Sequence, residues 1–377
     1  MKLNARRIES IVFLVLFFGF FGAIAYTMGL KNMLSSVMAT SHDLLLNTVF
    51  YIMSITVLSG AFGNLMMEFG VVRIFERLLS PLMKPIFNLP GIASLGGIVT
   101  FFSDNPAIIT LASSKHFRKY FSPTQFVSLT NFGTAFGMGL IVITFMMGQG
   151  QFKPAIIGLI GAIFGAIIST RLMQRFIRKE MQASWDDLDV EVTAMGDQFV
   201  PAQGYSRFMR FLNATLDGGK KGVETGLSII PGVLIICTVV LLLTFGPKDP
   251  AVGYQGLAYE GVPWLPHLGE WLRVPFYYLF GFESPQAVAF PITALGAVGA
   301  ALSLVPTFLA KGLIGPNEVA VFTAMGMCWS GFLSTHTAML DALGFRQLTT
   351  RALVAHTIGG TAAGVIAHYL FVLTQLF

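Results

Sequence analysis

Long apolar stretches alternate along the chain with short polar ones, and about seven of them reach the roughly 20 residues that a helix needs to cross hydrocarbon. They fall at approximately 8–30, 44–68, 123–148, 154–176, 225–245, 316–342 and 352–374. Two further apolar stretches are interrupted. Residues 90–113 place apolar arms on either side of Ser103-Asp104-Asn105-Pro106, and residues 285–309 are interrupted by Pro291, by a glycine-poor-then-rich centre and by Pro306. Each arm has only about ten residues, too few to span, which predicts hairpins that enter and leave by one face. Ahead of each hairpin runs a shorter amphipathic stretch, Val71 to Phe87 and Leu268 to Phe280, with Arg73, Arg77 and Arg273 among apolar residues. That pattern suits helices lying in the membrane interface.

The order of elements repeats. Phe121 to Thr130 aligns without a gap on Ile314 to Thr323, sharing the proline (Pro123, Pro316) and the final threonine. Each copy is followed by a glycine-rich crossing and then by one with a small-residue stripe, Gly161 with Gly165 and Gly360 with Gly364. A unit of helix, interfacial helix, hairpin, helix and helix crosses an odd number of times, so a second unit starts on the opposite side and is inverted. The predicted fold is therefore an all-α polytopic membrane protein with two inverted repeats, each containing a re-entrant hairpin and a broken transmembrane helix. Its segments are 1–43 (first helix and outer loop), 44–176 (repeat 1), 177–224 (cytoplasmic linker with Asp186, Asp187, Asp189 and Glu191) and 225–377 (repeat 2).

Charge orients the layout. With the N-terminus inside, 19 of the 24 Lys and Arg residues fall in cytoplasmic segments, and only Lys31, Lys153, Lys248, Arg273 and Lys311 fall outside, as the positive-inside bias requires. The C-terminus then lies outside, and the net charge of +5 reflects topology rather than a nucleic-acid partner. Charged residues make up 11% of the chain, about half the usual share of a soluble domain, so the bilayer is the expected surrounding. Basic residues ahead of Ile11 to Leu30 resemble a signal peptide, but the apolar run is too long for one and predicts a retained helix. Cys237 and Cys328 both sit in apolar runs and are expected as free thiols.

The informative polar groups are those a bilayer should exclude. Asp104, between Ser103 and Asn105 at the first hairpin's break, must face protein, water or a ligand; it suits a ligand or coupling group and equally a cap on backbone N–H groups. The next crossing places Thr130, Asn131 and Thr134 beside Gly133, Gly137 and Gly139, a composition for an unwound segment that frees carbonyls or for close helix packing. Its counterpart carries Ser330, Ser334, Thr335, His336 and Thr337. His336 could carry a proton or bond a neighbouring helix, and His356 and His368 read as interfacial or packing residues. No HExxH, GxSxG or Walker pattern occurs, so neither an enzyme nor a metal site is expected.

The block GVVRIFERLLSPLMKPIFNLPG (70–91), followed by the SDNP hairpin and a small-residue helix, resembles the Gate or nucleoside-recognition domain family of bacterial membrane proteins. GGKKGVETGLSIIPGVLIICTVVLLL (218–243) is similar to the opening of a second copy. The resemblance, over roughly 45–375, implies a bacterial inner-membrane protein related to spore-maturation-type proteins and to concentrative nucleoside transporters. Ser103-Asp104-Asn105-Pro106 is similar to those transporters' first-hairpin motif, and Asn131-Phe132-Gly133-Thr134 to an element of their later broken helix. Ala294 to Val305 carries no acid where their second hairpin has one. The expected function is secondary transport of a small polar solute by ion-coupled alternating access, with Na+ or H+ as coupling ion and no cofactor. A non-transporting role in envelope or spore assembly is the alternative, and homo-oligomerisation is left open.

Overall fold

Backbone groups in hydrocarbon must be paired within their own segment, so apolar runs of this length fold as helices. The computed structural model describes residues 2–102, 112, 118–181 and 206–376. Among them the regular elements are helices, apart from one isolated bridge between Asp249 and Gly253. In chain order these are α1 (Lys2–Met28), α2 (Leu30–Glu68), α3 (Val71–Leu82), α4 (Ala93–Phe102), α5 (Pro123–Thr134), α6 (Gly139–Gly148) and α7 (Phe152–Ile177). The second half gives α8 (Arg207–Leu242), α9 (Trp264–Trp271), α10 (Arg273–Phe280), α11 (Ala289–Gly296), α12 (Val298–Ala310), α13 (Pro316–Cys328), α14 (Phe332–Ala342) and α15 (Thr349–Leu373).

Among the described residues six stretches are long and apolar enough to cross a membrane: Arg7–Met28, Leu30–Glu68, Pro123–Gly148, Phe152–Ile177, Arg207–Leu242 and Arg346–Leu373. The expected crossing at 316–342 is not among them; it divides into α13 and α14, as Pro123–Gly148 divides into α5 and α6. Residues 31–43, expected as an outer loop, are helical and belong to α2, and 207–224, expected within the linker, open α8. Polar and charged residues such as Lys31, Asp43, Arg207 and Lys220 keep the hydropathy of these helical stretches low. Both long helices contain a π-helical turn, Leu44–Val49 in α2 and Gly232–Cys237 in α8. The second follows Pro231, whose missing N–H breaks the ladder, and the two turns touch each other.

The second hairpin breaks elsewhere than its prolines suggest. Its arms α11 and α12 are divided at Ala297, in extended conformation with φ −163° and ψ 117°. Pro291 stands third in α11, where the backbone N–H has no helical acceptor, and Pro306 stands third after a turn at Ser303 that interrupts α12.

Two close seams hold the helices together. Along α2 and α8, a Cβ on Gly60 would lie 2.5 Å from the Gly218 carbonyl oxygen. Along α7 and α15, one on Gly165 would lie 2.7 Å from the Gly359 carbonyl oxygen. Small residues let such backbones touch where no hydrophobic force separates helix from lipid. Helix α13 fills the angle between α7 and α15, and α5 packs on α7.

The two halves share local conformations at matching places. Asn88 and Gly281, both left-handed, end the interfacial helices. Ser122 caps α5, with Gln125 Oε1 accepting the Ser122 N–H at 3.0 Å, and Glu318 Oε2 accepts the Gly315 N–H at 3.0 Å at the start of α13. Met138 and Gly331, again left-handed, restart α6 and α14. Each pair is separated by the same number of residues.

Candidate functional site: a buried polar cluster at two broken helices

Both expected broken helices are broken. After Thr134 the i→i+4 ladder gives way to tighter bonds, Phe136 N–H to Gly133 (3.0 Å) and Gly137 N–H to Thr134 (3.2 Å), before Met138 turns left-handed at φ 54°. After Cys328 the same happens: Ser330 N–H bonds Met327 (3.3 Å), Phe332 N–H bonds Trp329 (3.1 Å), and Gly331 is left-handed at φ 65°. The helices cross at these breaks, α5 against α14 and α6 against α13. A Cβ on Gly139 would stand 3.1 Å from the Met327 terminal methyl.

The second break leaves the Cys328 carbonyl without its helical donor, since the Phe332 N–H has gone to Trp329. His356 of α15 supplies the missing bond through Nε2. A carbonyl only accepts, so Nε2 carries the hydrogen and the neutral ring offers Nδ1 as an acceptor. The Ser169 hydroxyl of α7 meets that nitrogen at 2.6 Å. Ser169 in turn accepts from Asn131 Nδ2 of α5 at 3.0 Å, and the same amide donates to the Ala352 carbonyl at 2.9 Å. Trp329 Nε1 donates to the His356 carbonyl at 3.3 Å. One directional chain thus joins α5, α7, α15 and the second break, and Asn131, Ser169 and His356 are all buried. Buried polar networks hold position only when every member is paired, as these are.

His336 stands beside this chain. Its ring centroid is 4.6 Å from that of His356, and Phe332 stacks on His356 at 6.2 Å with 23° between the planes. Its Nδ1 bonds the Phe332 carbonyl of its own helix at 2.9 Å, and its Nε2, fully buried, has no hydrogen-bond partner among the described residues.

The other expected site residues divide by surroundings. Thr130 is buried, with Oγ1 donating to the Val127 carbonyl at 2.9 Å, and Thr134 is buried, donating to the Thr130 carbonyl at 2.8 Å. Ser330 is buried at the break, while Thr335 and Thr337 are half-buried and Thr337 donates to the Leu333 carbonyl at 2.9 Å. Ser334 lies on α14, its side chain outside the described set. Ser103, Asp104 and Asn105 lie outside the described residues. His368 is half-buried near the end of α15, its Nδ1 bonding Asn317 Oδ1 at 2.8 Å. Sequence reasoning does not single out Ser169, and of its two readings of His356, interfacial or packing, the residue's place in the core fits the second. Neither carries a motif; the one signal was an imidazole and a hydroxyl on two helices with matching small-residue stripes. Among the described residues no three His, Cys, Asp or Glu side chains come together to hold a metal ion.

No family model matches the chain, and no curated protein matches it. Solved structures do. A doubly substituted form of the concentrative nucleoside transporter CNTnw in an outward-facing state superposes with a TM-score of 0.53 at 12% identity, covering 99% of this chain and 87% of that one. CNTnw in an inward-facing substrate-bound state gives 0.53 at 11% identity, over 98% and 85%. A substituted form in an intermediate state gives 0.52 at 10% identity, over 97% and 86%. At this identity the likeness is one of fold, and this chain has the fold of these transporter structures, that of a multi-pass membrane protein.

Proposed function

We propose that this protein is a secondary active transporter that moves a small polar, nucleoside-like solute by ion-coupled alternating access. The observation that carries the reading is the pair of broken helices crossing at a buried polar cluster, in a fold that CNTnw adopts in outward-facing, intermediate and inward-facing states. Discontinuous helices place free backbone groups at membrane depth, where a solute or ion can take them up. Asp104 with Ser103 and Asn105 contributes from the first hairpin, and Ser330, Ser334, Thr335 and Thr337 line the second break. Sodium is the better-supported coupling ion, because hydroxyl and carbonyl oxygens are abundant at both breaks and hard cations prefer oxygen. The matched left-handed residues and caps support two inverted repeats, and the motifs at 70–91 and 218–243 support kinship with Gate-domain proteins of bacterial inner membranes.

Two experiments test this. Purified protein in proteoliposomes should accumulate radiolabelled uridine or another neutral solute under an inward sodium gradient. No accumulation under sodium or proton gradients would leave the fold serving a scaffold instead. Cysteines at Lys84 and Arg178 should label from the cytoplasmic side and ones at Lys248 and Lys311 from outside; Lys84 and Lys311 on one face would end the inverted-repeat reading.

A further inference from the structure

We infer that His336 Nε2 is a ligand-facing hydrogen-bond acceptor, and that what it takes is the O–H or N–H of an uncharged solute. The inference rests on the transport reading above and names the chemistry that one position recognises. It begins with the tautomer. Nδ1 lies 2.9 Å from the Phe332 carbonyl oxygen, which can only accept, so Nδ1 holds the hydrogen and Nε2 of the neutral ring presents a lone pair. That lone pair is fully buried and unmatched. A buried polar atom left without a partner costs about 1–3 kcal/mol, and in a native fold it calls for an explanation.

The described neighbours that make up this cluster do not supply the donor. His356, the adjacent imidazole, has both ring nitrogens engaged, by Ser169 and by the Cys328 carbonyl. Asn131 gives its amide hydrogens to Ser169 and Ala352, and Trp329 gives its indole N–H to the His356 carbonyl. Phe332, whose ring lies 6.1 Å from that of His336, has none to give. Among these described side chains the requirement left unmet is for a donor to His336 Nε2. Its place matters equally: His336 sits in the first turns of α14, just past the left-handed Gly331, where the broken helices cross.

Charge narrows the class. Asn131, Ser169, Trp329, Phe332 and His356, the side chains that make up this cluster among the described residues, include no carboxylate, lysine or arginine. An anionic solute here would find no cation among them, and Asp104 of the transport reading would repel it, at a penalty far above the value of one hydrogen bond. A neutral solute with a hydroxyl or amide N–H meets the acceptor without that penalty.

Nitrogen-15 NMR of histidine-labelled full-length protein in nanodiscs tests this directly, with His336→Gln used to assign the resonance. In the ligand-free protein His336 should show a protonated Nδ1 and a free, unprotonated Nε2. A protonated Nε2, or one already accepting from water, overturns the inference whatever the protein transports. Uridine, adenosine, myo-inositol and glycerol are then added separately, with uridine 5′-monophosphate as the charged control. At least one neutral compound should shift the Nε2 resonance and the control should not; no shift from any of the four, or a shift from the control alone, overturns the inference. For a compound that shifts it, His336→Gln, which keeps an acceptor, should hold affinity within about threefold, whereas His336→Phe should weaken it by roughly tenfold or more. Equal affinity in His336→Phe and wild type would also sink it. Transport is scored separately in proteoliposomes: binding with the expected shift but without accumulation would overturn the transport reading and leave the acceptor role standing.

Discussion

The first broken helix is closed on itself, whereas the second is held open by its neighbours. At the first break Thr130 and Thr134 return their hydroxyls to carbonyls of their own helix, and the chain restarts through a methionine forced left-handed. At the second, the restart is a glycine, and the stranded Cys328 carbonyl is capped from α15 by an imidazole that α7 and α5 hold in place. Two breaks of the same geometry thus rest on different links: local backbone for one, tertiary hydrogen bonding for the other. A rearrangement that moves α15 against α13 must disturb the cap on the second break, whereas at the first it meets the single bond that Asn131, three residues before Thr134, donates to the Ala352 carbonyl.

The largest effect should come from removing the tertiary cap. His356→Phe keeps the ring volume but strands the Cys328 carbonyl and the Ser169 hydroxyl, so it should destabilise the protein by about 3 kcal/mol in reversible unfolding from mixed micelles. A loss under about 1 kcal/mol would erase the distinction between the breaks. Next in size is the backbone itself. Gly331→Ala should lose about 1–2 kcal/mol because an L side chain is disfavoured at φ 65°, while Met138→Gly should gain up to about 1 kcal/mol by relieving φ 54°. Opposite signs at corresponding positions are the expected signature; equal signs would mean that packing, not conformation, chose these residues. The smallest effect belongs to Thr134→Val, expected within about 0.5 kcal/mol, since its hydroxyl only doubles a bond its helix already makes.

Local closure recurs outside the spans, where it can be tested by acid. Glu260 lies in the loop between α8 and α9. Burial alone would raise its carboxyl, but the backbone N–H groups of Gln255 (2.9 Å), Lys248 (3.2 Å), Leu257 (3.1 Å) and Gly256 (2.8 Å) hold it below the usual carboxylate range. A lowered folded value means the unfolded chain binds the proton first, so the clasp contributes fully above the unfolded value near 4.3 and is lost as pH falls through the folded one. Hydrogen exchange at residues 248–257 should therefore quicken below about pH 4. In Glu260→Gln it should already be fast at neutral pH; a pH-independent rate in the wild type would remove the carboxylate from the account.

Much of this was legible beforehand, for stated reasons. Hydropathy marked the crossings, and glycines among hydroxyls marked both breaks, because helices in lipid break only where small and polar residues allow it. The beginnings of α2 and α8 were not legible, since their charged and polar residues, such as Lys31 and Asp43 or Arg207 and Lys220, hold the hydropathy down. Pro291 marks no break because proline harms a helix only beyond its first turn, whereas the glycine-rich centre breaks at Ala297 and Pro306 follows the turn at Ser303. His356 was taken for a packing residue because nothing in its own segment shows that Cys328, a helix away in sequence, lacks a donor. That need appears only once the break and the neighbouring helix are placed together.

The two thiols give this molecule a built-in clock. Cys328 Sγ lies 3.6 Å from the Ala162 carbonyl, inside the seam between α13 and α7, and Cys237 Sγ lies 2.8 Å from the Ala300 carbonyl, between α8 and the second hairpin. Both are buried, one at each of two different contacts. A small maleimide added to the unaltered protein can reach either sulfur only while its own contact is parted. The two alkylation rates, followed by mass spectrometry with and without sodium or solute, would time the opening of each contact without a single introduced residue.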